Sequence, residues 1–166
     1  MVINNSTQNI WRGRIIRYAP LILWVAVIFI NSSGIGASQN SSRIIRPLLE
    51  WLFPSADAAS LDIYHGYIRK LAHFTEYGVL GFLASRAFWL SSKTFLRKFW
   101  FAWAFLFVVF VASVDEYNQS FNALRTGSVY DTLIDASGGL FAVTVLCILK
   151  TRGRKFDENA DKLQIP

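Results

Sequence analysis

The stretch FWFAWAFLFVVFVASV, residues 99–114, carries no charged residue, and the polar run Asp115-Glu116-Tyr117-Asn118-Gln119 follows it directly. A helix needs about 20 mostly apolar residues to cross the hydrocarbon core of a bilayer. Sixteen uncharged residues with a polar end fit a span whose last turn reaches the interface. A helix of this kind in a soluble fold would need an apolar partner on every side.

Working outward, three further stretches have similar length. One runs from about Tyr18 to about Ala37 and is strongly apolar from Leu21 to Ile30. A second runs from about Leu71 to Leu90 and contains His73, Glu76 and Arg86. The last runs from about Val129 to Leu149, with Asp131 and Asp135 near its start. The expected architecture is therefore an all-α, integral membrane bundle of four transmembrane helices. Residues 1–17 form a basic tail, 18–150 the membrane unit and 151–166 a polar tail, disordered from Phe156 onward. The first span has a basic lead and small residues at Gly34-Ile35-Gly36-Ala37, which also suits a cleaved signal peptide. An uncleaved helix is the simpler reading, because further apolar stretches follow.

Composition agrees. Apolar residues make up 53% of the 166 residues and charged residues 17%, against about 25% charged in soluble domains. The net charge of +6 comes from basic residues in short blocks beside apolar runs. That is the signature of membrane orientation, not of a groove for nucleic acid. Arg12, Arg14 and Arg17, then Lys93, Arg97 and Lys98, then Lys150, Arg152, Arg154 and Lys155 fall on one side if the chain crosses four times. Arg43, Arg46, Arg69, Lys70 and Arg125 are spread over two longer loops on the other. Both termini are thus expected in the cytoplasm of a bacterial inner membrane protein, with loops 38–70 and 115–128 outside. In the first of these, Ile45, Leu48, Leu49 and Leu52 share one helical face. They predict a short amphipathic helix, either lying in the outer interface or packing over the bundle. The single cysteine, Cys147, cannot make an internal disulfide.

Ionisable residues within or beside spans are costly and need a reason. On a helix Lys70, His73 and Tyr77 share a face, and Glu76 sits three residues from His73, so the histidine and glutamate can touch or converge on one ligand. Asp115 and Gln119 are i, i+4, as are Asp131 and Asp135, whose face continues to Gly138 and Ala142. The topology gathers these groups at the outer ends of three helices. His73, Glu76, Asp115 and Glu116 are the candidate acid, base or metal-ligating groups. Lys70, Tyr77, Gln119, Arg125, Asp131 and Asp135 are the candidate ligand-binding groups, with Arg125 suited to a phosphate or carboxylate. Structural readings stand beside these. His73 and Glu76 can fix helix register, Asp131 with Ser128 can cap a helix, and Arg125 can pair with Asp131 or Glu116. Metal and cofactor remain unspecified by the sequence.

At these residues the chain resembles the VanZ-like family. The resemblance rests on Lys70-x-x-His73-Phe74-x-x-Tyr77, Asp115-Glu116-x-x-Gln119, Arg125, and Asp131-x-x-x-Asp135 ahead of Gly138-Gly139, over about residues 18–150. Ala123-Leu124 stands where many members have Pro-Gly. The family is named for a protein linked to low-level resistance to the glycopeptide teicoplanin. The resemblance implies a role at the cell envelope. Three readings follow: binding or modulating an envelope lipid or lipid-linked cell-wall precursor, an intramembrane hydrolase or transferase on such a lipid, or a structural partner in an envelope protein complex.

Overall fold

The computed structural model describes residues 5–32, 38–121 and 129–163. These form six helices: α1 (Asn5–Ile30), α2 (Ser38–Leu52), α3 (Ala58–Trp89), α4 (Thr94–Lys98), α5 (Trp100–Gln119) and α6 (Val129–Leu163). No strand occurs among the described residues. Helix α3 is central and packs against α6, α5, α1 and α2.

Each core helix buries one stripe. On α5 it is Ala104, Val108, Val111, Ala112, Asp115 and Gln119. On α3 it is Tyr77, Leu80, Gly81, Ala84 and Ala87. On α6 it runs through Asp135, Gly138, Gly139 and Val143. Spacings of three and four keep such residues on one face. The opposite faces are apolar and open: Ile22, Leu23, Leu106, Phe110, Leu133 and Phe141 are each more than half exposed. A water-soluble chain rarely leaves such large apolar surfaces uncovered. Facing hydrocarbon they need no cover, and the chain is a multi-pass membrane protein.

Three helical segments are long and apolar enough to cross a membrane: Trp11–Ile30, Trp100–Gln119 and Val129–Gly153. The fourth expected span, on α3, does not join them. Its polar and charged residues (His73, Glu76, Tyr77 and Arg86) lower its apolar content. Much of α3's surface faces other helices rather than lipid, and Tyr77, Leu80, Ala84 and Ser85 are wholly buried.

The element boundaries also differ from expectation. Helix α3 begins thirteen residues before Leu71, so loop 38–70 is mostly two helices. Helix α6 continues to Leu163, where a disordered tail was expected. Once a helix is nucleated, each added residue costs little, and Glu158, Ala160, Lys162 and Leu163 are all good helix formers. The amphipathic segment becomes α2. It buries Leu49 and leaves Ile44, Leu48, Trp51 and Leu52 exposed, so it packs on α3 with one side and presents an apolar stripe on another.

Asp57 starts α3 by accepting a hydrogen bond from the Ser60 N–H at 2.9 Å. That bond favours the ionised carboxylate and holds it below its ordinary range. A carboxylate with a lower pKa folded than unfolded contributes stability above its unfolded pKa and loses it as the pH falls through the folded one. Asp57→Ala should therefore lower the thermal midpoint in detergent slightly at neutral pH and less at strongly acid pH. Equal losses at both would remove the cap from the account.

Close packing of α3 on α6 depends on glycine. A Cβ on Gly81 would stand 2.8 Å from the Gly139 carbonyl oxygen, and one on Gly138 would collide with the Phe74 carbonyl oxygen. Small residues let helix backbones approach in this way within a membrane. The approach brings the first turns of α6 directly against His73 and Tyr77.

Candidate functional site

The buried stripes of α3, α5 and α6 turn from apolar to polar at the same end of the bundle. On α5 the change falls after Ala112, at Asp115 and Gln119. On α6 it falls before Gly138, at Asp135. On α3 it falls at Tyr77 and His73. Asp115 is 2% exposed, Asp135 1% and Tyr77 0%. The polar residues occupy positions that would otherwise continue the apolar core.

His73 reaches across from α3 to α6, with Nδ1 3.2 Å from Asp135 Oδ1. Gln119 Nε2 donates to Asp115 Oδ2 at 2.8 Å within α5. The Tyr77 phenol stands beside the Asp115 carboxylate. Tyr77 Oη and Asp115 Oδ1 are both buried, and neither makes a hydrogen bond of good geometry. A donor and an acceptor are thus held side by side. Asp115 and Asp131 lie near enough for their charges to act on Asp135. Burying several acids together is expensive unless they are paired or share protons. The histidine and the amide of Gln119 supply part of that pairing.

Glu76 faces α1 instead. Its Oε1 accepts from Asn31 Nδ2 at 3.1 Å, and its backbone carbonyl accepts from Trp24 Nε1 at 2.9 Å. His73 and Glu76, three residues apart, therefore bridge α3 to different neighbours. Asn31 and Trp24 were not singled out from the sequence. The only hint was Asn31-Ser32-Ser33, a polar triplet directly after the apolar run that ends at Ile30.

Two grooves flank the cluster. One, of about 520 Å³, runs between α1 and α3 along Trp24, Val27, Ile68, Leu71, Ala72 and Val79, and Asn31, Thr75 and Glu76 line it too. The other, of about 450 Å³, lies between α5 and α6 and is lined by Ser113, Glu116, Tyr117, Ser120, Thr132 and Leu133. Glu116 belongs to this second groove. One residue along a helix is a rotation of about 100°, so it faces away from Asp115. Lys70 is exposed, one turn beyond His73, and Asp131 is half-buried. Arg125 and Ser128 lie outside the described residues, and so do the Arg125 ion pairs and the Ser128 capping contact. Asp131 itself sits in the first turn of α6, where an acid is favoured by the helix dipole.

Among the described residues, no group of three or more His, Cys, Asp or Glu could hold a metal ion. The cluster offers hydrogen bonds and proton exchange. The cluster joins one imidazole, one phenol and two carboxylates, with a third carboxylate in the wall of a groove.

The VanZ/LLP1 family model matches residues 18–150. No curated protein and no solved structure matches the chain.

Proposed function

Because the chain belongs to the VanZ/LLP1 family, we propose that it binds an envelope lipid or a lipid-linked cell-wall precursor at the polar end of its bundle. On this reading it is a protein of the bacterial inner membrane with both termini in the cytoplasm. Helix α3 then crosses as a fourth span whose polar residues the other three cover. The family's association with glycopeptide resistance fits a protein that hinders an antibiotic from reaching such a precursor.

The observation that carries this reading is the groove between α1 and α3. Its walls are mostly apolar, along Trp24, Val27, Leu71 and Val79, and Asn31 and Glu76 set polar groups among them. An amphipathic lipid needs both kinds of surface: hydrocarbon contact along the walls and a few placed hydrogen-bonding groups. His73 stands one turn from Glu76, and Lys70 one turn further toward the surface.

A second reading has its own support. A carboxylate 3.2 Å from His73 Nδ1 can fix the ring and leave Nε2 as a base. The same lipid would then be a substrate for hydrolysis or transfer.

Filling the groove tests the first reading. Ala72 is an exposed groove residue, so Ala72→Phe should leave membrane level unchanged. Lipid that copurifies with the wild-type protein should fall several-fold in this variant. Undiminished lipid in Ala72→Phe would end the binding proposal. Release of a headgroup product that needs His73, with normal protein level in His73→Ala, would move the assignment to the enzyme.

A further inference from the structure

Taking the groove between α1 and α3 as the lipid's seat, as proposed, we infer that the lipid held there carries a primary ammonium in its headgroup and that the Glu76 carboxylate receives it. Asn31, Thr75 and Glu76 are the polar residues of the groove's wall. Asn31 follows directly on the apolar span Trp11–Ile30. It therefore stands where hydrocarbon gives way to headgroups. Glu76 Oε1 meets Asn31 Nδ2 at 3.1 Å, so the carboxylate lies at the same level.

Hydrogen bonds within the wall decide what an occupant must bring. An indole has a single N–H donor, and that of Trp24 goes to the Glu76 carbonyl at 2.9 Å. The Thr75 hydroxyl donates its proton to the Leu71 carbonyl at 2.8 Å. Asn31 turns its amide N–H toward Glu76. An ionised carboxylate only accepts, with about four lone-pair sites, and Asn31 takes one of them. The Trp24 and Thr75 donors are spent, and Glu76 and Thr75 present acceptors. The occupant must therefore donate.

Charge narrows the donor. Among the described residues no Lys or Arg lines the groove. His73, Asp115 and Asp135 act on the charge of Glu76, and the imidazole is met by Asp135 at 3.2 Å. The surroundings of Glu76 are thus net negative. A headgroup that set only an anion here would place like charges together with no cation in the wall to offset them. A sugar hydroxyl donates, but it leaves the carboxylate's charge unmatched in mostly apolar surroundings. A quaternary ammonium matches the charge and has no N–H to give. A primary ammonium brings both the charge and three donors. The acyl chains of such a lipid lie along Trp24, Val27, Leu71 and Val79.

The test uses the full chain in detergent, titrated with phosphatidylethanolamine, phosphatidylcholine, phosphatidylglycerol or a glucosyl diacylglycerol of matched acyl chains. Native mass spectrometry counts the bound lipid. Wild-type protein should retain phosphatidylethanolamine in preference to the other three. Glu76→Gln keeps an acceptor for Asn31 and removes the charge. It should cut phosphatidylethanolamine retention about tenfold, the weight of one hydrogen bond to a charged group, and leave phosphatidylcholine unchanged. Asp62→Asn removes an exposed acid outside the groove and should leave the preference intact. The wild-type ranking carries the test alone if Glu76→Gln does not fold. Equal retention of phosphatidylethanolamine and any of the other three would overturn the amine; if Ala72→Phe still displaced them all, the groove would stand as a lipid site. Full retention in Ala72→Phe would remove the groove and the amine together.

Discussion

Gly138→Ala is expected to cost roughly 1–3 kcal/mol, the range for overpacking a well-packed core, and to lower the amount of folded protein in the membrane several-fold. The added methyl would meet the Phe74 carbonyl oxygen, with the Phe74 Cα 3.1 Å away. These are backbone atoms of a facing helix, so no side chain can swing aside. The two helices must separate or slide. Gly66→Ala is the matched control, because nothing lies within 4 Å of a Cβ there. It should be neutral or slightly stabilising, since alanine is the better helix former. Thermal unfolding of both variants in detergent checks the pair. Equal behaviour would mean that α3 and α6 do not approach as described. The substitution also reaches the site. Asp135 precedes Gly138 by one turn, and His73 precedes Phe74 by one residue. Separating the helices at Gly138 therefore stretches the His73–Asp135 contact.

The second large effect concerns that contact itself. His73→Leu leaves the Asp135 carboxylate, 1% exposed, with its imidazole partner gone. Leaving a buried polar group without its partner costs about 1–3 kcal/mol. Replacing both members by apolar residues of similar volume costs much less, because no uncompensated group remains. His73→Leu/Asp135→Leu should therefore be more stable than His73→Leu alone. A thermal double-mutant cycle measures this, and it separates a true pair from two independent polar residues. Additive losses would show that the two groups do not interact. Function should follow a different order: the double variant regains stability without regaining lipid binding or turnover.

Much of this was legible in the sequence, and the failures have physical causes. The uncharged run of α5 and the apolar body of α6 were read correctly, because lipid-facing helices need nothing but length and apolarity. The span on α3 was placed by length, and its polar residues keep it out of the set that apolarity alone selects. A helix surrounded by others can carry His73, Glu76, Tyr77 and Arg86, since neighbouring helices rather than composition decide what covers them. Periodicity found the face of α2. It could not tell which side of the stripe meets α3, and Leu49 alone of the four named leucines and isoleucines is buried.

The polar cluster was half visible. Spacing of four put Asp115 with Gln119 and Asp131 with Asp135 on common faces. Which helix each face meets is a tertiary fact. His73 and Glu76 are near neighbours in the chain, yet one turns to Asp135 and the other to Asn31. Glu116 was grouped with Asp115 through adjacency in sequence, and adjacency on a helix means divergence. Asn31 lay outside any motif and became evident only once α1 was packed on α3.

The whole account rests on α3 and α6 presenting an imidazole and a carboxylate to one another inside the bundle. Magic-angle-spinning NMR of the protein in lipid, with labelled histidine nitrogen and aspartate carboxyl carbon, reads that separation directly. A His73 Nδ1 dipolar coupling to the Asp135 carboxyl, matching the 3.2 Å nitrogen–oxygen contact and absent in Asp135→Leu, is the expected result. A His73 ring with no carboxyl of α6 within ion-pair reach would contradict it.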